Sequence, residues 1–312
     1  MLYLTETDVR ELLPMAAAVD LMEAAFRRLA NKQSTNQPRR RLILPAGSVL
    51  HQMAAADGAY FGIKVYSTNA RHGAHFHLLL YEAETGKPLA LMEANHLGQI
   101  RTGAASGYAT RLLAAPGAST LGVIGSGFQA RTQVEAMAAV RKLTKVRVWS
   151  RSEEKRSRFA EECRRDLGLH VEAAATAEGA VRDASIVVTA TNAKDPVLES
   201  EWVSGGAHVN AMGSNQARRR EISEDLIRRA ALVVVDSIEQ SRLESGDLLM
   251  AFSEDDWRSP KLWELRAART REGLPEDAVT IFKSNGLALE DVAAGAYVYE
   301  QARAANRGKP MP

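Results

Sequence analysis

The stretch that most constrains this chain runs from Ser119 to Ala130, Ser-Thr-Leu-Gly-Val-Ile-Gly-Ser-Gly-Phe-Gln-Ala. It reads as a buried strand entering Gly-x-Gly-x-x-Ala and then a helix. In that context Gly125 permits the tight turn, Gly127 lets the backbone approach a pyrophosphate, and Ala130 packs the new helix on its strand. The first N–H groups of the helix then face the anion. This is a dinucleotide cradle. It begins about a third of the way along the 312 residues, so a substantial segment precedes it, and that segment should determine how the cofactor is used.

Charge excludes several function classes. The 40 basic and 38 acidic residues leave a formal charge of +2, which gives no electrostatic case for nucleic acid or an anionic membrane. The runs Arg39-Arg40-Arg41 and Arg218-Arg219-Arg220 are local features. One cysteine, Cys163, excludes an intrachain disulfide or a Cys-built metal site, and its helical setting suggests a structural or simply exposed thiol. The N-terminus lacks a basic region followed by an apolar core, and no apolar run has the length of a membrane span. A cytoplasmic protein is the expectation.

Around the cradle the pattern changes twice. Residues 1–117 read as helices over an acidic segment capped by Thr5 or Thr7 and over Met15–Leu29, followed by short strand-like runs between Pro38 and Glu93 and a helix from about Gln99 to Leu113. From Thr120 strand and helix alternate: Leu121–Ile124, Gln129–Val140, Val146–Trp149, Glu153–Leu167, His170–Ala173, Ile186–Thr189, His208–Met212 and Leu232–Val235. Such alternation argues a doubly wound parallel sheet. A last helix, Ala288–Ala304, comes after that sheet should be complete and is expected to return to the first domain. The expected class is therefore α/β: a Rossmann-type domain over 118–286, and an α+β dimerisation and substrate domain built from 1–117 and 287–312.

A second cofactor signal lies where the second strand of the parallel sheet ends, at Trp149-Ser150-Arg151-Ser152. NAD-selective members of this fold place an acid there to take the ribose hydroxyls, whereas NADP needs room and a cation. Ser150, Arg151 and Ser152 offer two hydroxyls and a planar guanidinium, which favours NADP(H), with NAD(H) as the alternative. The competing reading is that these residues only begin the next helix.

For the chemistry, three cations stand in strand or strand-to-helix settings: Arg41, Lys64 and Arg101. Two guanidinium forks can hold a carboxylate while an ammonium exchanges a proton with a reacting nitrogen. The spacing of His72, His75 and His77 suggests a metal at first sight, but no further ligand set accompanies it, and no metal is expected. No Gly-x-Ser-x-Gly elbow, His-Glu-x-x-His or phosphate-binding P-loop occurs.

Several blocks, taken in order, resemble the ornithine cyclodeaminase/mu-crystallin family over nearly the full length. They are Arg41-Leu42-Ile43-Leu44-Pro45, Gly62-Ile63-Lys64-Val65, Thr85-Gly86-Lys87-Pro88, Arg101-Thr102-Gly103-Ala104, Gly125-Ser126-Gly127-Phe128-Gln129-Ala130, the run from Gly206 to Gly213, Arg220-Glu221-Ile222 and Phe282-Lys283-Ser284-Asn285-Gly286. The resemblance implies a homodimer acting on a small molecule. It implies that Arg41, Lys64 and Arg101 hold the substrate carboxylate and assist proton transfer. It also assigns Gly125, Ser126, Gly127, Phe128, Gln129, Ser150, Arg151, Ser152, Thr191, Met212, Lys283 and Ser284 to the cofactor.

Two positions depart from the cyclodeaminases. Their acid/base carboxylate, two residues after the glycine matching Gly213, is replaced by Asn215, and an amide cannot exchange that proton. A threonine near their substrate is matched by His77. The first expectation is therefore an NAD(P)H-dependent reductase of small α-imino acids. The alternatives are a cyclodeaminase-type lyase, which would need Glu93 or His77 as its acid/base, and a mu-crystallin-like NADPH-binding protein with little turnover.

Overall fold

The computed structural model describes residues 1–311, which form two compact units: 1–105 with 286–311, and 106–285. The division falls inside the helix Asn95–Leu113 rather than at the 114–117 turn after it.

The first unit is built on a mixed sheet. Its strands are β1 (Leu2–Leu4), β2 (Ser34–Asn36), β3 (Arg40–Ile43), β4 (Val49–Asp57), β5 (Tyr60–Asn69), β6 (Gly73–Glu82) and β7 (Pro88–Glu93), and a two-residue strand, Lys309–Pro310, completes it. The order is 309–310, β1, β7, β6, β5, β4, β2, with β3 also on β4, and every pairing except β1–β7 is antiparallel. Alternation sets the faces: His51, Met53, Ala55 and Asp57 on β4 and Gly62, Lys64 and Tyr66 on β5 are all buried, while the residues between them are not. Helix α1 (Glu6–Leu12) starts at a capping box in which Thr5 and Asp8 satisfy each other's backbone N–H groups. Helix α2 (Met15–Ala30) buries Ala18, Val19, Met22, Ala25 and Phe26 on one stripe. The last helix, Ala288–Ala304, packs on α2, β4 and β5 and is apolar nearly all round, as a helix covered on most sides should be.

The second unit is an all-parallel sheet of β8 (Thr120–Ile124), β9 (Lys145–Trp149), β10 (Val171–Ala173), β11 (Ile186–Thr189), β12 (His208–Ala211), β13 (Leu232–Val235), β14 (Leu262–Glu264) and β15 (Thr280–Lys283). The order is β10-β9-β8-β11-β12-β15-β13-β14. Strands β11, β12, β13 and β15 are buried at every residue, as strands covered on both faces must be. The α/β class with one doubly wound parallel sheet is therefore what the sequence implied; β14 and β15 were not among the expected strands. Chain order reverses between β8 and β11, and this switch point is where ligands bind on such sheets. No helix among the described residues is long and apolar enough to cross a membrane.

Candidate active site

The cofactor cradle lies at the carboxyl end of β8. Gly125 has φ +123°, and a Cβ there would overlap the carbonyl oxygen of Ala190 in the loop after β11. The tight turn therefore needs glycine for its backbone angle and for the close approach of the neighbouring loop. Around Gly127 the opposite holds: nothing lies within 4 Å of where a Cβ would stand. Gly127 is the N-cap of α4 (Phe128–Val140) and places no side chain on the free N–H groups of the first turn. An open, unblocked helix start beside a glycine turn fits a pyrophosphate. Phe128, half exposed, and Gln129, half-buried, open this helix. Substituting Gly125 with alanine is expected to weaken reduced-dinucleotide binding at least about tenfold, because backbone strain of this kind costs about 1–3 kcal/mol; titrating the cofactor's fluorescence checks it.

The Ser126 hydroxyl donates to the Ser150 hydroxyl at 2.8 Å, tying the glycine turn to the end of β9. Ser152 is the N-cap of α5 (Glu153–Leu167), and its Oγ accepts from the Lys155 N–H, so the helix-starting role holds for this residue. Arg151 is exposed, and Arg156, which the sequence reading did not single out, donates to the Ser150 carbonyl at 3.1 Å. No carboxylate caps β9.

Other residues assigned to the cofactor lie at the ends of β11, β12 and β15. Lys283 is wholly buried: its Nζ donates to the Ser214 carbonyl at 2.7 Å and lies 3.0 Å from Asp247. Ser284 is buried too and donates to Asp236. Both side chains bond protein groups in this structure, Lys283 to the 213–215 loop and to Asp247, and Ser284 to Asp236. Thr191 and Met212 are half-buried in the loops after β11 and β12, and Asn215 is half-buried beyond Gly213.

In the first unit, Lys64 and Arg101 come together on the last helix. Lys64 Nζ donates to Asp291 Oδ1 at 2.8 Å, Arg101 Nε donates to the same oxygen at 3.1 Å, and Arg101 Nη1 donates to Glu290 at 2.6 Å. Neither acid has any exposed surface, and the other Asp291 oxygen has no hydrogen-bond partner. Burial pulls the Lys64 ammonium down to about 8; Asp291 opposes the shift and Arg101 adds to it. For Arg101 burial is outweighed by Asp291 and Glu290, which hold its proton more firmly. Lys64 also stands 5.7 Å and 5.5 Å from the ring centroids of Tyr66 and Phe76, and Tyr66 in turn stacks on His51.

Within the Arg39–Arg41 run the buried residue is Arg39, which donates to Met53 sulfur and to the Gly286 carbonyl, whereas Arg41 is exposed. Arg41 pairs with His51 across β3 and β4, which puts it on the face that carries Lys64, nearer the rim. Burial pushes the His51 imidazole down to about 4, and the positive charges of Arg41 and Arg39 add to that. His77 is corrected outright. It pairs with Val65, while Lys64 pairs with Leu78, so His77 stands on the opposite face of the sheet and is exposed. Glu93 shares that opposite face, accepting from Tyr3 and from the Glu6 N–H. Neither can serve Lys64's side. Cys163 is buried in α5, and burial pushes its thiol up to about 11. Among the described residues no three His, Cys, Asp or Glu side chains are arranged to hold a metal.

Residues that the sequence reading missed are Arg39, Glu290, Asp291 and Arg156. The one available signal was the pair of adjacent acids at the start of an otherwise apolar, alanine-rich helix.

Comparison with known proteins gives the family. The model of the ornithine cyclodeaminase/mu-crystallin family matches residues 1–306. A Δ1-pyrroline-2-carboxylate reductase of Bacillus cereus is 39% identical over 229 residues, covering 72% of this chain and 70% of that protein. The structure of Thermococcus litoralis Δ1-pyrroline-2-carboxylate reductase, solved with NADH and L-proline, superposes with a TM-score of 0.93 at 31% identity and full coverage of both chains. An archaeal alanine dehydrogenase dimer with bound NAD gives 0.91 at 30% identity, covering 100% of this chain and 99% of that one. With its glycine cradle, its Lys64–Arg101 cluster and a family match spanning almost every residue, the chain belongs to the ornithine cyclodeaminase/mu-crystallin family.

Proposed function

We propose that this protein is a nicotinamide-dependent oxidoreductase of small α-imino acids, reducing the C=N bond of a ketimine or pyrroline carboxylate and catalysing the reverse oxidation of the amino acid. The observation that carries this reading is Lys64: a fully enclosed ammonium, aimed by Asp291, that exchanges its proton near pH 8. The relatives described above, two reductases of a cyclic imino acid and an alanine dehydrogenase, support it.

In the reductive direction Arg101 and the Arg39–Arg41 segment attract the substrate carboxylate, and Lys64 donates its proton to the imine nitrogen. Asp291 keeps the ammonium oriented and accepts from Arg101 at the same time. A reduced nicotinamide dinucleotide, its pyrophosphate held by the β8 turn and the start of α4, would supply the hydride for the imine carbon. Imine, hydride and proton together give the amine. Asn215 cannot exchange a proton, and His77 and Glu93 lie on the sheet face opposite Lys64, so neither replacement named for a cyclodeaminase-type lyase stands beside that lysine. The test is net loss of reduced-nicotinamide absorbance with a panel of cyclic and linear imino acids, set beside an assay for ammonia released from ornithine. Consumption without ammonia is expected; ammonia without net redox would establish the lyase instead.

The cofactor proposed is NADP(H). The end of β9 presents Ser150 and Arg151 where NAD-selective chains carry an acid, with Arg156 close by; the neighbouring acid, Glu153, is paired with Arg156 at 3.7 Å. Ser150→Asp is expected to cost NADPH roughly tenfold or more in kcat/KM while sparing NADH, since one like charge at that site is worth at least 1.4 kcal/mol. Equal losses with both cofactors would remove the preference. The same reading makes the protein a homodimer, as the archaeal relative is, with the half-buried Phe61, Ile63, Val65, Leu79, Tyr81 and Leu91 on the sheet face opposite Lys64 as a suitable contact.

A further inference from the structure

The loops that follow β11 and β12 are joined by one buried carboxylate. Glu221 Oε1 accepts the Thr191 N–H at 2.6 Å, and its Oε2 accepts the Gly213 N–H at 2.6 Å and the Thr189 hydroxyl at 2.9 Å. Glu221 has no exposed surface. Its own backbone is fixed in turn: Asp247 Oδ1 accepts the N–H groups of Glu221 and Ile222 at 2.6 and 3.1 Å, and the Glu221 carbonyl accepts from Val197 and Leu198. Lys283, at the end of β15, completes the unit by bridging Asp247 and the Ser214 carbonyl. A side chain at Gly213 would overlap both Glu221 and the Thr191 backbone, so the packing tolerates only glycine there.

Three donors converge on one carboxylate that has no exposed surface, which is far more than stabilising a surface loop requires. The β11 loop that Glu221 holds is also the one whose Ala190 lies against Gly125 and donates to the Ile124 carbonyl at 2.8 Å. The other loop it holds carries Asn215. Every anchored segment therefore lies at the switch point beside the dinucleotide cradle.

We propose that Glu221, backed by Asp247 and Lys283, is a positioning residue that fixes the 190–193 and 213–215 loops for hydride transfer, and that it sets the rate of that step rather than the affinity for the dinucleotide. The inference rests on the cofactor site proposed above. Lys283 belongs to it as a support for the Ser214 carbonyl.

The test uses the full-length protein. Glu221→Gln preserves size but replaces one acceptor oxygen with a donor that faces an N–H. In the cofactor-free protein, amide hydrogen exchange at Thr191 and Gly213 should accelerate at least tenfold, while exchange in β8 and β9 is unchanged. With NADPH and the best imino acid, kcat should fall about 100-fold, the loss expected of misplacement by about 1 Å. The dissociation constant for NADPH should change less than threefold, and the primary isotope effect from 4-deuterated NADPH should rise as hydride transfer becomes rate-limiting. Glu221→Asp, which keeps both oxygens but shortens the reach, should fall between. A cofactor affinity that weakens as much as kcat falls, or faster exchange with unchanged kcat, would overturn the proposal. If Glu221→Gln does not fold, Lys283→Met reads the same quantities from the other side, and unchanged kcat in that folded variant would also overturn it. Failure of the wild type to oxidise NADPH with any imino acid would count against the imine-reductase reading alone, since the exchange and affinity arms do not need turnover.

Discussion

Lys64→Met is expected to lower kcat/KM for imine reduction by at least about 10³, with the protein still folded. General acid catalysis by a positioned group contributes about 10²–10⁴, and here the same ammonium also lies where the substrate carboxylate is attracted. Methionine matches the stem in volume, so the loss is chemical rather than a packing defect. The pH dependence gives the sign. A lysine held near 8 is protonated below that pH and neutral above it. Reduction, which needs the proton on Lys64, should be level below about pH 8 and fall tenfold per unit above it. Oxidation, which needs the neutral amine, should rise tenfold per unit up to about pH 8 and be level above it. Because kcat/KM reports groups of the free enzyme, both limbs should vanish in Lys64→Met, leaving only the substrate's own titration. A pH profile that keeps its break in the variant would assign that break to another group.

Arg101→Leu should have the largest effect on stability. The substitution strands Glu290, which has no exposed surface, without its cation, and leaves Asp291 with Lys64 alone. Removing one partner from a buried pair costs about 3–5 kcal/mol, because the surviving charge stays desolvated. For a chain of this size that corresponds to a fall of roughly 10 °C in the unfolding midpoint, measurable by circular dichroism with and without cofactor. Arg101→Lys should recover part of it, since an ammonium restores the charge but cannot bond Glu290 and Asp291 through one planar fork. An unchanged midpoint in Arg101→Leu would mean that the acids of the last helix are solvated and that the cluster is not an enclosed one.

The contrast between what could and could not be read in advance follows from locality. The Gly-x-Gly-x-x-Ala turn is a backbone requirement written in consecutive residues, so Gly125 and Gly127 were identifiable without any tertiary information. The long helices Met15–Ala30 and Glu153–Leu167 were similarly legible from an apolar stripe and from the Ser152 cap. Strand faces were harder. Arg39 and Arg41 stand two residues apart and share parity, so alternation cannot choose between them; Arg39 is the enclosed one because it reaches Met53, whereas Arg41 lies opposite His51 farther along β4. Parity did decide His77, which it turned away from Lys64, with Phe76 and Leu78 on the face it was expected to share.

Glu290 and Asp291 carried only a weak signal, for another reason. Acids in the first turn of a helix are ordinary dipole partners, and only the fold reveals that two buried cations meet them. The partners of Lys283 were hidden likewise, since Asp247 and the Ser214 carbonyl meet it only in the fold. Strand β15, four residues ending in that lysine, gave no alternation to detect.

The measurement that tests the central claim most directly is transfer of label from 4-deuterated NADPH, taking each stereoisomer in turn, to the product of a cyclic or linear α-imino acid, read by mass spectrometry. The account predicts one deuterium on the α-carbon of the resulting amino acid from one of the two stereoisomers, with stoichiometric NADP formed and no incorporation in Lys64→Met. An amino-acid product without label, or ammonia formed with no net cofactor oxidation, would contradict it.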